Sequence, residues 1–165
     1  FLHNITGYIV GTDFEQNGIT KNGSKMINAV SNSTVPHLTV ICGASYGAGN
    51  YGMSGRAFGT RFTFTWPTAK IAVMGPKQMA GVMTIVQRAA TERRGEVFDE
   101  AANAKRVEAV EHWAEERSKG LYATSRVSDD GMIDPRDTRT VLGIALSACH
   151  NKAVVGTKEY GTWRM

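Results

Sequence analysis

The stretch HLTVICGASYGAGNYGMSGR, residues 37–56, constrains the fold more than any other part of the chain. Residues 37–42 are rich in β-branched and apolar side chains and are bounded by Pro36 and Gly43. That pattern predicts a short buried strand. Glycines then fall at 47, 49, 52 and 55, and a short helix is predicted near 48–53. A buried strand that ends in a glycine-rich turn at a helix start exposes backbone N–H groups, because the first turn of a helix has no internal acceptor for them. The positive end of the helix lies at the same place. Such a turn suits an anion, which is either a bound phosphate or an oxyanion that develops during a reaction.

The letters separate these two only in part. GASYGAGNYG is not G-x-x-x-x-G-K-[ST]. GAGNYG (47–52) matches G-x-G-x-x-G, but a dinucleotide site also needs an acid about 20 residues on, and TAKIAVMG contains none. Side-chain catalysis has little support. The first seventy residues hold two acids, Asp13 and Glu15, in one loop, where a hydratase would use a carboxylate pair. Ser45 is not in a G-x-S-x-G elbow. His3 and His37 border apolar strands and read as structural, and Asp129–Asp130 reads as a turn former. The residues therefore leave a backbone oxyanion site, with the proton acceptor supplied by the substrate or by another chain.

Around this turn the pattern predicts an α/β fold with a helical second half. Residues 1–4 read as the end of a strand and 4–18 as a glycine-punctuated loop. A helix follows with Ile19, Gly23, Met26, Ile27 and Val30 on one face, ended by Pro36. Strands are predicted at 61–66 and 69–74, then a helix opening at Pro76 with Met79, Val82, Met83 and Val86 as its buried stripe. Residues 91–119 suggest further helices, with 92–94 as a loop. Asp134 and Pro135 are a good cap and first-turn residue for a last helix, whose apolar face is Val141, Leu142, Ala145, Leu146 and Cys149.

At 165 residues the chain is long enough for one domain with its own core. The charge of +4 is spread along the sequence, with no basic run interleaved with aromatics, which argues against nucleic acid. No stretch is long and apolar enough for a membrane span, and no signal peptide is visible. Cys42 and Cys149 lie in apolar surroundings without metal-ligand spacing, so they read as buried free thiols of a reducing compartment, and no metal site is expected.

Several ordered motifs add to this reading: NITGY (4–8), GAGNYGM-GRAF, Pro67–Gly75, DDGMIDPRDTR-VLG and the terminal YGTWRM. Together they resemble the carboxyltransferase β subunit of biotin-dependent acyl-CoA carboxylases, of the methylcrotonyl-CoA and geranyl-CoA type, over nearly the whole chain. The resemblance implies a crotonase-like (ClpP/crotonase) ββα superhelix and a single C-terminal carboxyltransferase domain over 1–165. Its core would span about 1–90, a helical segment about 91–120, and a C-terminal turn and helix 121–165. It implies the half that handles carboxybiotin, with acyl-CoA as the substrate. The partners implied are the N-terminal half of a carboxyltransferase subunit, a biotin carboxylase/biotin carrier α subunit, and other copies of the chain. The compartment implied is the cytoplasm, or the mitochondrial matrix in a eukaryote.

In that chemistry the charge left on the ureido oxygen is stabilised by backbone N–H groups, and the biotin nitrogen serves as the base. Carried onto this chain, the catalytic donors are the amides of Ala48 and Gly49. Gly7 and Tyr8 form the opposing wall, and Gly47 is counted with the cofactor-binding residues, chiefly as the turn former. Lys21 and Lys25 are expected on a solvated helix face, and residues 91–119 on a subunit or partner surface. A crotonase-like hydratase or isomerase, a propionyl-CoA-type subunit and a non-catalytic assembly module are the alternatives.

Overall fold

A computed structural model describes residues 1–161. The terminal motif YGTWRM falls largely on residues 162–165, which lie outside the described residues. Four parallel strands form the sheet. β1 (Leu2–Ile5) lies on one side of the central β2 (Leu38–Tyr46). On the other side β3 (Phe62–Thr65) pairs with the first half of β2, and β4 (Lys70–Ala72) with its end. Thr39, Val40 and Ile41 are buried in succession, so both faces of β2 are covered, as a parallel strand requires.

The central strand runs four residues past the end of its apolar run. Gly43 does not end it, because Ala44–Tyr46 stay paired with Lys70–Ala72 and Ser45 pairs with Ile5. The glycine is needed for another reason. A Cβ there would lie 2.3 Å from Asn4 Oδ1, at the point where the β1–β2 register shifts. Within 4–18, α1 (Thr12–Gln16) forms a single helical turn, with Asp13 and Glu15 placed where its N-terminus favours acids.

The expected second helix is α2 (Ile19–Asn32), with Gly23 and Val30 buried. α3 (Gly47–Gly52) follows β2 directly, and α4 (Pro76–Arg93) follows β4. Residues 92–94 do not form a loop. Glu92 and Arg93 complete α4, whose last turn is fixed by the buried Thr91 accepting at its carbonyl from Arg94 and Glu96.

α5 (Glu100–Ser118), capped by Asp99, packs along α4, and the short α6 (Gly120–Ser125) follows it. The α4 stripe is not buried within this chain. Val82 is 49%, Met83 47% and Val86 63% exposed, while Met79 is half-buried and Ala80 is the residue that packs inward. Periodicity marks a face as apolar, but α5 covers only one side of it.

Asp134 caps a 3-10 turn (Pro135–Asp137) by accepting from the Arg136 N–H, and α7 (Thr138–Cys149) begins beyond that turn. Ala145 and Cys149 are buried, but Leu146 is 49% exposed, so the face of α7 is narrower than expected. Cys149 is a buried free thiol, whereas Cys42 is half-buried and donates to the His3 carbonyl. Asp129 and Asp130 do more than turn the chain. Buried Asp129 accepts from the hydroxyls of Thr65 and Thr124, and Asp130 accepts from the Thr63 N–H and Arg56, which ties the 126–132 segment to β3.

Candidate functional site

The turn from β2 into α3 is built by glycine. Gly47 has a φ of +56°, and a Cβ on it would lie 3.0 Å from the Val73 carbonyl oxygen. Only glycine takes that conformation in that space without strain. Gly49 is buried, and a Cβ there would lie 3.2 Å from Gly7 Cα and 3.3 Å from Ile5 Cδ1. Ala48, between them, is exposed. Among the described residues, no loop acceptor takes the N–H of Ala48 or Gly49. These are the first-turn donors for which a helix has no internal partner.

The opposing wall is the loop after β1. Gly7 has a φ of +106°, and a Cβ there would stand 3.6 Å from the Tyr46 carbonyl oxygen. Two cavities flank Tyr8. One of about 270 Å³ is lined by Tyr8, Ile9, Val10, Ile19, Ile27 and Ala48, among others. The other, about 210 Å³, is lined by Ile5, Gly7, Tyr8, Met26, Gly49 and Met53.

The structure thus brings together all five residues singled out in the sequence, Gly7, Tyr8, Gly47, Ala48 and Gly49. It gives them different surroundings. Gly49 packs against the wall, Gly47 makes the turn, and Ala48 opens on the larger cavity. Lys21 and Lys25 are exposed on α2 and line neither cavity.

The single carboxylate on these two cavities is Glu15, which accepts from the Thr20 hydroxyl at 2.8 Å. A wider cleft of about 580 Å³ lies beyond Tyr46, with Lys70 already paired to Glu115. Another, about 670 Å³, lies beside residues 148–155. The smaller pair is the candidate site because it meets the unpaired amides.

Side-chain hydrogen bonds that the sequence reading did not find hold this turn. His3 Nε2 donates to the Met53 carbonyl at 2.7 Å, because a carbonyl can only accept. In the neutral ring His3 Nδ1 is then an acceptor, and Ser45 Oγ donates to it at 2.8 Å. Ser45 Oγ accepts in turn from Asn50 Nδ2 at 2.8 Å. This chain of bonds joins β1, the end of β2, the middle of α3 and its C-cap. Burial pushes the His3 imidazole below its usual value, which favours the neutral ring.

A second cluster fixes the exit of α3. Ser54 has a φ of +60°, rare for a residue with a side chain. Its carbonyl accepts from Thr39 and Thr60, and its hydroxyl bonds His37 Nδ1. Both histidines are structural, as the apolar strands beside them suggested.

The parallel sheet, with its central strand running into a glycine turn, has the crotonase-type α/β fold. Solved structures support that class. The β subunit of Pseudomonas aeruginosa geranyl-CoA carboxylase superposes with a TM-score of 0.83 at 41% identity, over 100% of this chain and 31% of that one. The transcarboxylase 12S core, described as a hexamer assembly with methylmalonyl-CoA, superposes with a TM-score of 0.77 at 29% identity, over 98% of this chain and 29% of that one.

The carboxyl transferase domain family matches residues 1–162, and the chain belongs to it. A probable biotin-dependent acyl-coenzyme A carboxylase beta2 subunit of Mycobacterium tuberculosis is 58% identical over all 165 residues, which are 31% of that protein. The mitochondrial methylcrotonoyl-CoA carboxylase β chain of Arabidopsis thaliana is 49% identical over 100% of this chain and 28% of its own length. The chain therefore spans less than a third of these relatives.

Proposed function

We propose that this chain is the C-terminal, carboxybiotin-handling part of an acyl-CoA carboxyltransferase of the methylcrotonyl-CoA type. The observation that carries the reading is the pair of unpaired amides at Ala48 and Gly49, facing a glycine wall with no acid–base pair beside them. Added Cβ atoms at Gly47 and Gly49 would crowd the chain's own backbone, so these glycines let the turn pack closely against its wall. Carboxybiotin, when bound, supplies the carboxyl group and a ureido oxygen on which negative charge develops.

The N–H groups of Ala48 and Gly49 donate toward that oxygen. They are held by the turn before reaction, so little reorganisation is needed. Ile9, Val10, Ile19 and Ile27 give the cavity beside Ala48 part of its lining. Among the described residues Glu15 is the one carboxylate on these cavities, and no acid–base pair stands at the amides. This favours a carboxyltransferase over a hydratase or isomerase.

The reading assigns the acyl-CoA pocket mainly to an N-terminal half. Its partners are a biotin carboxylase/biotin carrier α subunit and further copies of the chain, in the cytoplasm or the mitochondrial matrix. Relatives named as carboxylase β chains, one of them mitochondrial, and a hexameric structural neighbour support this context. Among the described residues no helix is long and apolar enough to cross a membrane.

Ala48→Pro in the assembled carboxylase tests the reading. Proline in a first turn removes one N–H and no internal helix bond. Loss of one oxyanion donor lowers kcat by about 100- to 1,000-fold. Assembly and the unfolding midpoint should hold. Unchanged kcat refutes the amide site. Lost assembly with proportionate loss of activity points instead to the assembly module.

A further inference from the structure

We infer that Tyr8 is a positioning residue, a wedge seated between two glycines that sets the distance between the first turn of α3 and its opposing wall. The inference rests on the carboxyltransferase reading above. On one side of the ring is Gly23, in the middle of α2, where a Cβ would lie 3.1 Å from Tyr8 Cζ. On the other is Gly52, the last residue of α3, where a Cβ would lie 2.4 Å from Tyr8 Oη. Glycine inside a helix weakens it, so a buried one calls for a packing reason. The tyrosine tip is that reason at Gly23 and at Gly52 alike.

The hydroxyl is buried and has no hydrogen-bond partner among the described residues. A buried phenol normally finds one. Tyr8 therefore contributes reach: its oxygen is the atom that touches Gly52. The other end of the residue is the loop that carries Gly7, and Gly7 meets Gly49. The ring also lines both cavities, the one bordered by Ala48 and the one bordered by Gly49. Pushing the ring from α3 must move the loop or the helix, because Gly23 blocks its retreat. Either motion changes where the amides point.

The geometry makes the test reciprocal. In the natural background Gly52→Ala drives a methyl group into Tyr8 Oη. With Tyr8→Phe that oxygen is gone, and the nearest ring atom, Cζ, would be 3.5 Å from the new Cβ, an ordinary contact. The two substitutions are made singly and together in the assembled carboxylase. Initial rates are measured against acyl-CoA, with the unfolding midpoint and oligomeric state alongside.

A misplacement of about 1 Å costs on the order of 100-fold in rate. Gly52→Ala is expected to lower kcat and kcat/KM together by about that factor, the mark of an interaction made in the transition state. In the Tyr8→Phe background the same Gly52→Ala should change kcat by less than about threefold. Equal losses in the two backgrounds overturn the wedge. A lowered midpoint with undiminished kcat reduces Tyr8 to packing and overturns its positioning role. A wild-type assembly that carboxylates no acyl-CoA refutes the function proposed above and takes this role with it, so the two failures are told apart by the parent's own rate.

Discussion

Ser45→Ala is the sharpest probe of how the fold holds the site. Ser45 and His3 are fully buried, and the Ser45 hydroxyl donates to His3 Nδ1 while it accepts from Asn50 Nδ2. Truncation leaves the imidazole nitrogen without a donor in a place water cannot reach. Stranding such a group costs about 1–3 kcal/mol. The Asn50 amide is half-buried and recovers part of its bond from solvent, which adds about 0.5 kcal/mol. The sum is about 1.5–3.5 kcal/mol. For a domain of this size that lowers the melting temperature by about 3–14 °C.

Urea or thermal unfolding measures the loss, and Asn50→Ala supplies the control. If one network is shared, Asn50→Ala costs about 1 kcal/mol alone and nearly nothing once Ser45 is alanine. A Ser45→Ala loss below about 0.5 kcal/mol, or costs that simply add, would refute the network.

Acid should weaken the fold in a defined window. His3 and His37 are both held below the usual histidine value by burial. The unfolded chain then binds protons that the folded chain refuses. Stability is complete above about pH 6.5 and falls as pH drops from there toward the folded values. A urea midpoint that is flat or rising from pH 7.5 to 5.5 would contradict this. The uncovered α4 face makes a separate prediction. Ile85 is 68% exposed beside Val82 and Val86, so Ile85→Asp should leave the monomer's midpoint within about 0.5 kcal/mol while weakening self-association in sedimentation. An unchanged sedimentation profile would remove that face from the subunit contacts.

The sequence made the candidate site legible because glycines are informative by their position. Gly47 and Gly49 sit where a strand ends and a helix begins, and that juncture alone announces free amides. The central strand was harder to bound. Gly43 looks like a terminator, yet it is there to admit Asn4 while the ladder continues through Tyr46. The α4 stripe misled in the opposite way, because a helical period marks an apolar face without telling whether its cover lies in the same chain. His3, Ser45 and Asn50 were not legible as a network. Their contacts cross 5 to 50 positions, and no local period encodes a bond between a strand histidine and the far end of a short helix.

That hidden network explains how so short a helix can present a site at all. A six-residue helix has little cooperativity or dipole of its own. What fixes its amides is external: His3 and Asn50 tie its C-terminal half to the strands, Ser54 is strapped at its exit, and Tyr8 sets its distance from the wall. The glycines that make the amides approachable also forfeit side-chain packing at the same positions. Rigidity therefore has to come from neighbours one shell out, which is where substitutions should damage function without touching the ligand.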